Sequence, residues 1–364
     1  MPPLSTPTIT SALELFTPSA YPMGLWPLDA TLDYSTRAEA MTVPAVARAR
    51  NLIASTIATL PRRLIVQRDG TRLTASTLLA QPDPSVAGSV TYAWTVDDLI
   101  FYGAAYWQVL AVYSDTGRPL RARRIDPMRI SYRTDKTGTL VEAWQIDGIA
   151  CAPTGVGSMI AFQGLDEGVL RRAGRTIASA VQLEKAAKRY AEEALPSLVI
   201  RNSGPDLLPD DVTALLANWK TARQSRATAY LGGNLTADIM GMDPAALQLV
   251  EARRHVALEI ARLMGVPAYY LGAETNTMTY SNVTSERRAL VDFSLRPFMT
   301  CIEERLSLGD VTSSGLRAEF DLDDFLRGNP DERANILSTL VGAGILTIAE
   351  ARATEDLAPT GTSP

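Results

Sequence analysis

Residues 251–267 read EARRHVALEIARLMGVP, and this stretch decides how the chain folds. Along it and just before it, apolar residues recur at helical spacing, at Leu247, Val250, Ala257, Leu258, Ala261 and Met264. Asp243 is a favourable N-cap and Pro244 suits the first helical position, so the pattern predicts a helix over 244–264. Residues 265–267, Gly-Val-Pro, then break the helix.

The segment after this helix is polar and almost uncharged. Residues 271–281 carry a single charged side chain, Glu274. The pattern then predicts a helix of about 26 residues from 282 to 307, which is about 40 Å long at 1.5 Å per residue. Pro297 lies inside this helix and is expected to kink it. The sequence therefore places a long helix on each side of an uncharged link.

A third long helix is predicted upstream, over 171–194, and Pro196 ends it. It is rich in small side chains, at Ala173, Ala178, Ala180, Ala186, Ala187, Ala191 and Ala194. Small side chains let helix axes approach closely, as packed helices in a ring require. This helix is therefore a candidate for packing against other helices.

Residues 195–243 connect two of the predicted long helices and combine short strands, loops and one helix. The pattern predicts a strand over 198–201, a loop over 202–205 and a helix over 210–223 that Pro209 begins. A further strand is expected near 229–231, followed by a turn at two glycines.

The N-terminal half is predicted to be an α+β unit that ends near Phe162. Its expected elements are helices over 43–60 and 89–102 and strands over 63–67, 105–112, 120–125, 130–133 and 140–146. Residues 1–36 are rich in Pro, Ser and Thr and are expected to be an arm that is at best partly ordered. At the other end, capping signals at 329–332 and 347–350 predict two short helices.

The composition excludes several classes of protein. Of the 364 residues, 46% are apolar and 21% are charged, which is typical of a folded chain and not of a disordered one. No apolar run approaches the roughly 18 residues of a membrane span, and the N-terminus shows no secretory signal. The net charge of −5 is unfavourable for a protein that binds nucleic acid tightly over its whole surface.

Residues with catalytic or metal-binding chemistry are scarce. The chain has one histidine, His255, and no Gly-Lys dipeptide, so it has no Walker A loop. Its two cysteines, Cys151 and Cys301, form no CxxC pair, and a reducing compartment is the default. We therefore predict no catalytic, cofactor-binding or metal-binding residues, and a structural or interface role for His255. An acidic group near the C-terminus is expected to be a solvated turn and not a cation site: Asp321, Asp323 and Asp324.

Several stretches resemble the portal proteins of tailed bacteriophages, the head-to-tail connector family that accompanies the common phage capsid fold. The similar stretches are 43–61, 103–106, 124–130, 251–267, 271–272, 279–282, 295–298, 302–303, 321–327 and 342–347. Their order and spacing, over about residues 40–355, are more specific than any single motif among them.

The resemblance implies an α+β, mainly helical portal architecture with wing, stem, clip and a small crown. The implied parts are an arm (1–36), the wing (37–168), a stem helix (169–194), the clip (195–243), a second stem helix (244–267), a channel loop (268–281), a long wing helix and strand (282–321), and the crown and tail (322–364). Because the chain is short for the family, a large crown is not expected.

The resemblance also implies a function without catalysis or a cofactor. Portal proteins form a ring, here expected to hold twelve copies, at one vertex of the capsid. Double-stranded DNA passes through the ring during packaging and ejection, with weak and non-specific contacts. The large terminase and later a head-completion adaptor would dock on the clip, and the ring would contact the capsid or scaffold protein. The expected location is the virion, preceded by the host cytoplasm during assembly, with no membrane contact.

Three groups of candidate site residues follow from the resemblance. The DNA-channel loop would present Glu274, Thr275, Asn276, Thr277, Met278 and Thr279. The stem would contact neighbouring subunits through Ala180, Ala187, Ala191, Arg189, Glu251, Arg254 and Glu259. The clip would dock its partners through Asn202, Asp206, Trp219 and Arg223.

Alternatives remain open at this point. The basic residues of the first long helix form either a solvated face with pairs such as Glu184 to Lys188, a contact with carboxylates of a neighbouring subunit, or a phosphate contact in the channel. For the whole chain, the alternatives to a portal are a soluble enzyme that uses carboxylates alone and a different ring-shaped head-tail adaptor.

Overall fold

The structure is a computed structural model that describes residues 36–136, 141–192, 197–205, 207–224, 234–240, 249–272, 288–326 and 330–354. Its contacts divide the chain into a larger unit, Met1–Ala178 with Ala257–Pro364, and a smaller unit, Ser179–Val256. Both unit boundaries fall inside long helices, at residues 178 and 256.

Helices and strands are numbered here in chain order. The helices are α1 (Arg37–Ala40), α2 (Pro44–Thr59), α3 (Thr77–Ala80), α4 (Gly88–Tyr102), α5 (Val169–Glu192), α6 (Pro209–Gln224), α7 (Leu249–Met264), α8 (Arg296–Ser307), α9 (Asp323–Leu326), α10 (Pro330–Gly342) and α11 (Ile348–Thr354). The strands are β1 (Arg62–Val66), β2 (Arg72–Leu73), β3 (Ala104–Val112), β4 (Pro119–Ile125), β5 (Ile130–Thr134), β6 (Val141–Ile146), β7 (Ile149–Ala150), β8 (Met159–Gln163), β9 (Ser197–Asn202), β10 (Leu235–Met240) and β11 (Leu316–Phe320).

The two predicted N-terminal helices are confirmed and pack against each other. Helix α2 begins at Pro44, and Leu60 ends it in an extended conformation ahead of Pro61. Its buried positions, such as Val46, Ile53 and Ile57, recur every three or four residues and form one face. That face meets α4, which is itself buried along most of its length.

An aromatic cluster fills the core between α4 and the sheet that follows it. Strand β3 lies between β4 and β8, and both pairings are antiparallel. Trp107 on β3 is fully buried, and its ring centroid lies 4.8 Å from that of Phe162 and 5.4 Å from that of Tyr92. The indole Nε1 donates a hydrogen bond to Thr95 Oγ1 at 2.8 Å, so the one polar atom of the ring is satisfied.

Two adjacent acidic residues are buried near the end of α4. Asp97 binds Arg37 of α1 and Arg50 of α2. Asp98, which is fully buried, binds Arg124 of β4 with two hydrogen bonds of 2.8 and 2.6 Å. Burial raises the pKa of Asp98 to about 7, and the bonds from Arg124 oppose that rise. Helix α4 is thereby joined to three other elements through charge.

Two further sheets complete the larger unit. Strand β1 pairs with β2 and with β11. The pairing with β11 places Arg62 opposite Phe320 and so joins the two chain segments that form the larger unit. Strands β5, β6 and β7 form a separate antiparallel sheet. Helix α8 packs on β11 and β8, in line with the predicted combination of a long helix and a strand.

Pro297 distorts the predicted long helix in a specific way. A π-helical turn, Leu290–Leu295, precedes α8, and the backbone N–H of Arg296 donates to the carbonyl of Val291, five residues back. A proline inside a helix lacks an N–H and its ring clashes with the carbonyl four residues earlier. The disturbance therefore lies in the turn before the proline, and residues 282–287 of the prediction lie outside the described residues.

The smaller unit contains β9, α6 and β10, with β9 and β10 paired antiparallel from Leu235↔Asn202 to Met240↔Ser197. The predicted strand over 198–201 and the helix over 210–223 are confirmed. The predicted strand near 229–231 and its glycine turn lie outside the described residues, and no strand was predicted where β10 is found. The predicted start of α7 at 243–244 also lies outside them.

The C-terminal elements follow their capping signals. The backbone N–H of Thr347 donates to Glu350 at 2.8 Å and that of Glu350 donates back to Thr347 at 3.2 Å, which is the predicted capping box. The prediction of a solvated acidic turn is wrong for Asp321, which is buried and paired with Arg63. Within the described ranges, no helix is both long and apolar enough to cross a membrane.

The ion pair between Asp98 and Arg124 gives the first testable prediction. We expect Arg124→Met to lower the free energy of unfolding by about 3–5 kcal/mol, because it leaves a buried carboxylate without a partner. The loss should be smaller at pH 5 than at pH 8, since the raised pKa of Asp98 means that the folded chain takes up a proton as the pH falls. Denaturant unfolding at both pH values measures this.

The double variant Asp98→Asn with Arg124→Met is the control for that prediction. It removes both charges, so most of the lost stability should return. A double variant as unstable as Arg124→Met alone would contradict the assignment of the loss to the buried charge.

Candidate functional site

The six predicted channel-loop residues, 274–279, lie in the range 273–287, outside the described residues. The structure does describe the residues on either side of this segment. One end is a 3-10 helix, Ala268–Leu271, which Gly272 terminates at a φ of 70°. The other end is the π-helical turn, Leu290–Leu295.

The first end is attached to α2. Gly265 ends α7 in the left-handed region at a φ of 64°, which glycine adopts without steric cost. Arg48 of α2 donates from Nε to the carbonyl of Tyr270 at 3.4 Å. The rings of Tyr269 and Tyr270 lie side by side, with centroids 4.4 Å apart.

The second end is buried and bonded to the first. Ser294 is buried, and its hydroxyl donates to the carbonyl of Gly265. Leu290 and Leu295 are buried on the same turn, whereas Phe293 is 78% exposed. The two ends of the segment are therefore held next to each other in one packed arrangement.

Three glycines determine where the first long helix begins. Gly103, which ends α4 at a φ of 71°, accepts a hydrogen bond from the N–H of Gly164 at 2.8 Å. A Cβ on Gly168 would lie 2.5 Å from the nitrogen of Gly103 and 2.6 Å from the carbonyl oxygen of Phe101. Only a residue without a side chain fits there, so the loop before α5 lies directly on the end of α4.

The start of α5 is also bonded to the end of α7. Arg172 donates to the carbonyl of Leu263, in the last turn of α7, and pairs with Asp166. A cation near a helix C-terminus is favoured by the helix dipole and by the carbonyls that have no partner inside the helix. The N-terminal part of α5 is buried, with Val169, Leu170 and Ile177 among its buried residues.

The predicted stem residues differ in exposure. Ala180 is 1% exposed and so already packs inside the chain, whereas Ala187 is half-buried. Of the charged group, Arg189, Glu251 and Arg254 are exposed, and Glu259 is half-buried and paired with Arg262 at 3.1 Å. Ala191 lies in α5.

Ion pairs within the chain involve some of the charged residues of α5, the helix predicted to have either a solvated basic face, a contact with a neighbouring subunit or a contact with phosphates. Glu184 of α5 accepts two hydrogen bonds from Arg253 of α7, at 3.2 and 2.6 Å. Arg171, at the start of the same helix, pairs with Glu167 at 3.0 Å. Glu184 and Arg171 of α5 are therefore both paired within one chain.

The predicted clip residues lie in the smaller unit. Asn202 donates to the carbonyl of Pro205 at 2.7 Å and accepts from the N–H of Gly204 at 3.0 Å, so it shapes the turn after β9. Trp219 is half-buried, and it continues an apolar stripe of α6 that includes Val212, Leu215 and Leu216. Arg223 lies near the end of α6. Asp206 lies outside the described residues.

Six arginines lie between residues 118 and 133, and each is bound by a carboxylate or a backbone carbonyl of the larger unit. Arg123 pairs with Asp83 at 2.7 Å and, with Ser85, lowers the pKa of that carboxyl to about 2. The others bind carboxylates or backbone carbonyls: Arg118 to Gly309, Arg121 to Gln81, Arg124 to Asp98, Arg129 to Asp147 and Arg133 to Glu142. Such arginines offer little to phosphates, because each would first have to give up its partner.

The structure offers no metal centre in the ranges that it describes. No group of three or more histidine, cysteine or carboxylate side chains there is placed to hold a metal ion. The acidic residues considered from sequence bind arginines, Asp321 with Arg63 and Asp323 with Arg72. His255 is exposed on α7.

Comparison with known proteins identifies the family. The sequence model of the family described as "Phage portal protein" matches residues 44–356. The chain belongs to the phage portal protein family. A relative, the "Probable portal protein" of Streptomyces phage phiC31, is 27% identical over 377 residues, which cover 96% of this chain and 81% of that protein. The portal protein of Enterobacteria phage HK97 is 26% identical over 133 residues, 35% of this chain and 31% of the other.

Solved structures share the portal fold. The crystal structure of an HK97-family phage portal protein from Corynebacterium diphtheriae superposes with a TM-score of 0.60 at 28% identity, and covers 82% of this chain and 99% of that chain. A chain from the neck of a native gene transfer agent particle has a TM-score of 0.58 at 21% identity, and covers 90% and 95% of the two chains. The predicted α+β, mainly helical portal fold is thus confirmed.

The contact of Gly168 with α4 gives a testable prediction for the base of the first long helix. We expect Gly168→Ala to lower the free energy of unfolding by more than about 3 kcal/mol, because its Cβ would overlap the backbone of Gly103. Gly117→Ala is the matched control, since Gly117 has a similar φ of 67° and open space around it. It should cost only about 1 kcal/mol of backbone strain. Equal losses in denaturant unfolding would contradict the close approach.

Proposed function

We propose that this chain is one subunit of a portal ring at a capsid vertex, the conduit through which double-stranded DNA is packaged and ejected. The observation that carries the proposal is the family match over residues 44–356, on a fold shared with a solved portal protein over 99% of that protein's chain. A related particle neck has been described with C12 symmetry, which supports twelve copies in the ring proposed here.

The proposed parts of the subunit are those that the sequence suggested. Residues 37–168 form the wing, 169–194 and 244–267 the stem, and 195–243 the clip. Residues 268–281 form the channel loop, 282–321 the long wing helix and strand, and 322–364 a small crown and tail, with an arm over 1–36. The proposal is supported by the smaller unit, Ser179–Val256, which contains the proposed clip and the adjoining ends of the two long helices.

We assign contacts between subunits to the two stem helices. Ala187 and Ala191 would let a neighbouring helix approach closely, and Arg189, Glu251, Arg254 and Glu259 would supply charges around that contact. Ala180 is left out because its side chain is already buried inside the chain.

The proposed contact with DNA is weak and non-specific. A conduit must let its cargo move, and many cationic contacts with phosphates would produce tight, salt-dependent binding. Twelve copies of a chain with a net charge of −5 carry about −60, and the proposed loop has Glu274 as its single charge. The internally bound arginines of the wing support the same conclusion.

The proposed partners are the proteins that package DNA, complete the head and form the capsid. The large terminase and then a head-completion adaptor would dock on the clip, around Asn202, Asp206, Trp219 and Arg223. The wing would contact the capsid or scaffold protein. Assembly would take place in the host cytoplasm before the ring becomes part of the virion.

We propose that the chain acts without catalysis, in keeping with a structural family. The alternative of a carboxylate-based enzyme needs two acids of shifted pKa that face a cleft open to a substrate. Asp98, whose pKa is raised, is fully buried and bound to Arg124 in the packed core. That carboxylate cannot meet a substrate without unfolding α4 from β4.

The ring is tested by the mass of the purified chain in solution. Light scattering should give about 470 kDa for twelve copies of a 39.3 kDa chain, and negative-stain images should show rings. A compact monomer at the concentrations of virion assembly would overturn the proposal.

Replacing Ala187 tests the proposed contact between subunits. We expect Ala187→Trp to prevent ring assembly, because the larger side chain overpacks a close contact between helices. Ala80→Trp, on an exposed turn of the wing, is the control and should still form rings. Circular dichroism shows whether each variant is folded, so folded Ala187→Trp that still forms normal rings would reject the close packing.

The channel loop, with its single charge, gives a prediction for DNA passage. We expect Thr277→Lys with Thr279→Lys to slow DNA packaging several-fold while ring formation stays intact, because the new cations would bind phosphates. The slowing should weaken as the salt concentration rises. Thr277→Ser with Thr279→Ser keeps the hydroxyls and is the control. Unchanged packaging rates in the lysine variant would contradict the assignment of the loop.

A further inference from the structure

The N-terminal half of α4 carries an exposed apolar strip. Val90, Trp94, Asp97 and Phe101 follow one another at steps of four, three and four residues, so they lie on one face of the helix. Phe101 and Asp97 are buried, whereas Trp94 and Val90 are 41% and 38% exposed. With the half-buried Ala93, these two form a continuous surface, called here the α4 strip. It is the exposed end of a face that is otherwise covered.

The covered end of that face is held by the start of α1. The guanidinium carbon of Arg37 lies 5.5 Å from the centroid of the Phe101 ring, and the same group pairs with Asp97. Thr36 and Glu39 cap α1 with reciprocal hydrogen bonds, which fixes the backbone at this point. The first described residues of the chain are therefore anchored on the face of α4 that carries the α4 strip.

The chain that precedes this anchor is long enough to reach the α4 strip. Residues 1–35 lie outside the described residues. Along the helix axis, Val90 is about 16 Å from Phe101 at 1.5 Å per residue. About five residues of extended chain span that distance, at roughly 3.3 Å each. A segment within about ten residues of Thr36 can therefore reach the whole strip, and the short tether keeps its local concentration there high.

The segment just before the anchor has the chemistry that fits this surface. Residues 25–34 read LWPLDATLDY. Its large apolar and acidic members are Leu25, Trp26, Leu28, Leu32, Asp29 and Asp33. Arg37 uses Nε and Nη2 for Asp97, which also binds Arg50, so two arginines share one carboxylate. The side chain of Arg37 is still 38% exposed, and a guanidinium has further donors for a second carboxylate.

We propose that residues 25–34 pack on the α4 strip of the same chain. Their apolar side chains contact Trp94 and Val90, and one of their carboxylates binds Arg37. The segment continues from the anchor toward the N-terminus of α4, so that the whole face of the helix is covered. The same chain supplies the occupant because its anchor lies on that face, which favours the intramolecular contact over one with a neighbour. The proposal concerns the single chain, so it is tested separately from the ring.

Hydrogen exchange of the backbone amides in 25–34 tests the contact. In the full chain we expect these amides to exchange at least about five-fold more slowly than in a peptide of the same sequence. Trp94→Ser should raise their exchange rate several-fold, because it removes the largest apolar surface of the α4 strip. Ile149→Ser, at an exposed apolar side chain of β7, is the matched control and should leave the rate unchanged. Circular dichroism confirms that each variant is folded.

Disulfide cross-linking shows which chain supplies the segment. Leu28→Cys with Val90→Cys should oxidise to a bond within one chain, which runs as a monomer on a non-reducing denaturing gel. Leu28→Cys with Ile149→Cys is the control and should cross-link more slowly.

Three results would overturn the proposal. They are amides in 25–34 that exchange as fast as in the free peptide, an exchange rate that Trp94→Ser does not change, and a Leu28→Cys with Val90→Cys pair that cross-links no faster than the control. Cross-links that join two chains would also overturn it, because they would assign the α4 strip to the segment of a neighbour.

Discussion

The fold of the larger unit depends on the requirement that charge buried in its core must be paired. Asp97 and Asp98 occupy successive positions on a helix, so their side chains point in directions about 100° apart. Each therefore needs a partner from a different side, and the partners come from α1, α2 and β4. Moving β4 away, or α1 and α2 together, would leave a carboxylate in a low-dielectric interior without compensation, which is far more costly than losing an apolar contact of similar size.

The elements that these ion pairs hold together also position the segments with a proposed role in the ring. Helix α2, which Asp97 binds through Arg50, also holds the first end of the 273–287 segment through Arg48. The end of α4, next to the same aspartates, bears the glycine contact from which α5 starts. One charged and tightly packed centre therefore positions both the start of the first long helix and the base of the proposed channel loop.

The sequence predicted the elements well where a single periodic pattern governs them. Helices α2, α4 and α6 and strands β3 to β6 follow their apolar spacing, and the caps at Gly103 and Thr347 follow local chemistry. Strand β10 was missed because Leu235–Met240 is short and follows Gly-Gly-Asn at 232–234, a combination typical of a loop. A disturbance at Pro297 was predicted as a kink; the structure shows a π-helical turn before the proline, a form that the sequence pattern does not specify.

The site was less predictable, because its determinants are contacts between residues far apart in the sequence. Gly164 and Gly168 are loop glycines by any local rule, and their role becomes visible only against Gly103. Asp97 and Asp98 did carry a signal, since two adjacent acids interrupt an otherwise apolar helix, but their arginine partners lie 26 to 60 residues away. Ala180 and Ala187 look alike in the sequence, yet the chain buries one and leaves the other half-exposed. Composition cannot separate a face that packs within the chain from one that is left for a neighbour.

The described parts of the chain differ in how much of their apolar surface is buried within one chain. The larger unit has an aromatic core and paired charges, so its fold rests on contacts within one chain. Among the described side chains of α6 and of 334–352, by contrast, none is fully buried, although both segments carry apolar stripes. Short amphipathic helices gain little stability while their apolar side stays in water. The core of the larger unit is therefore stable within one chain, whereas these helices depend on what their apolar sides meet, as the proposed ring requires.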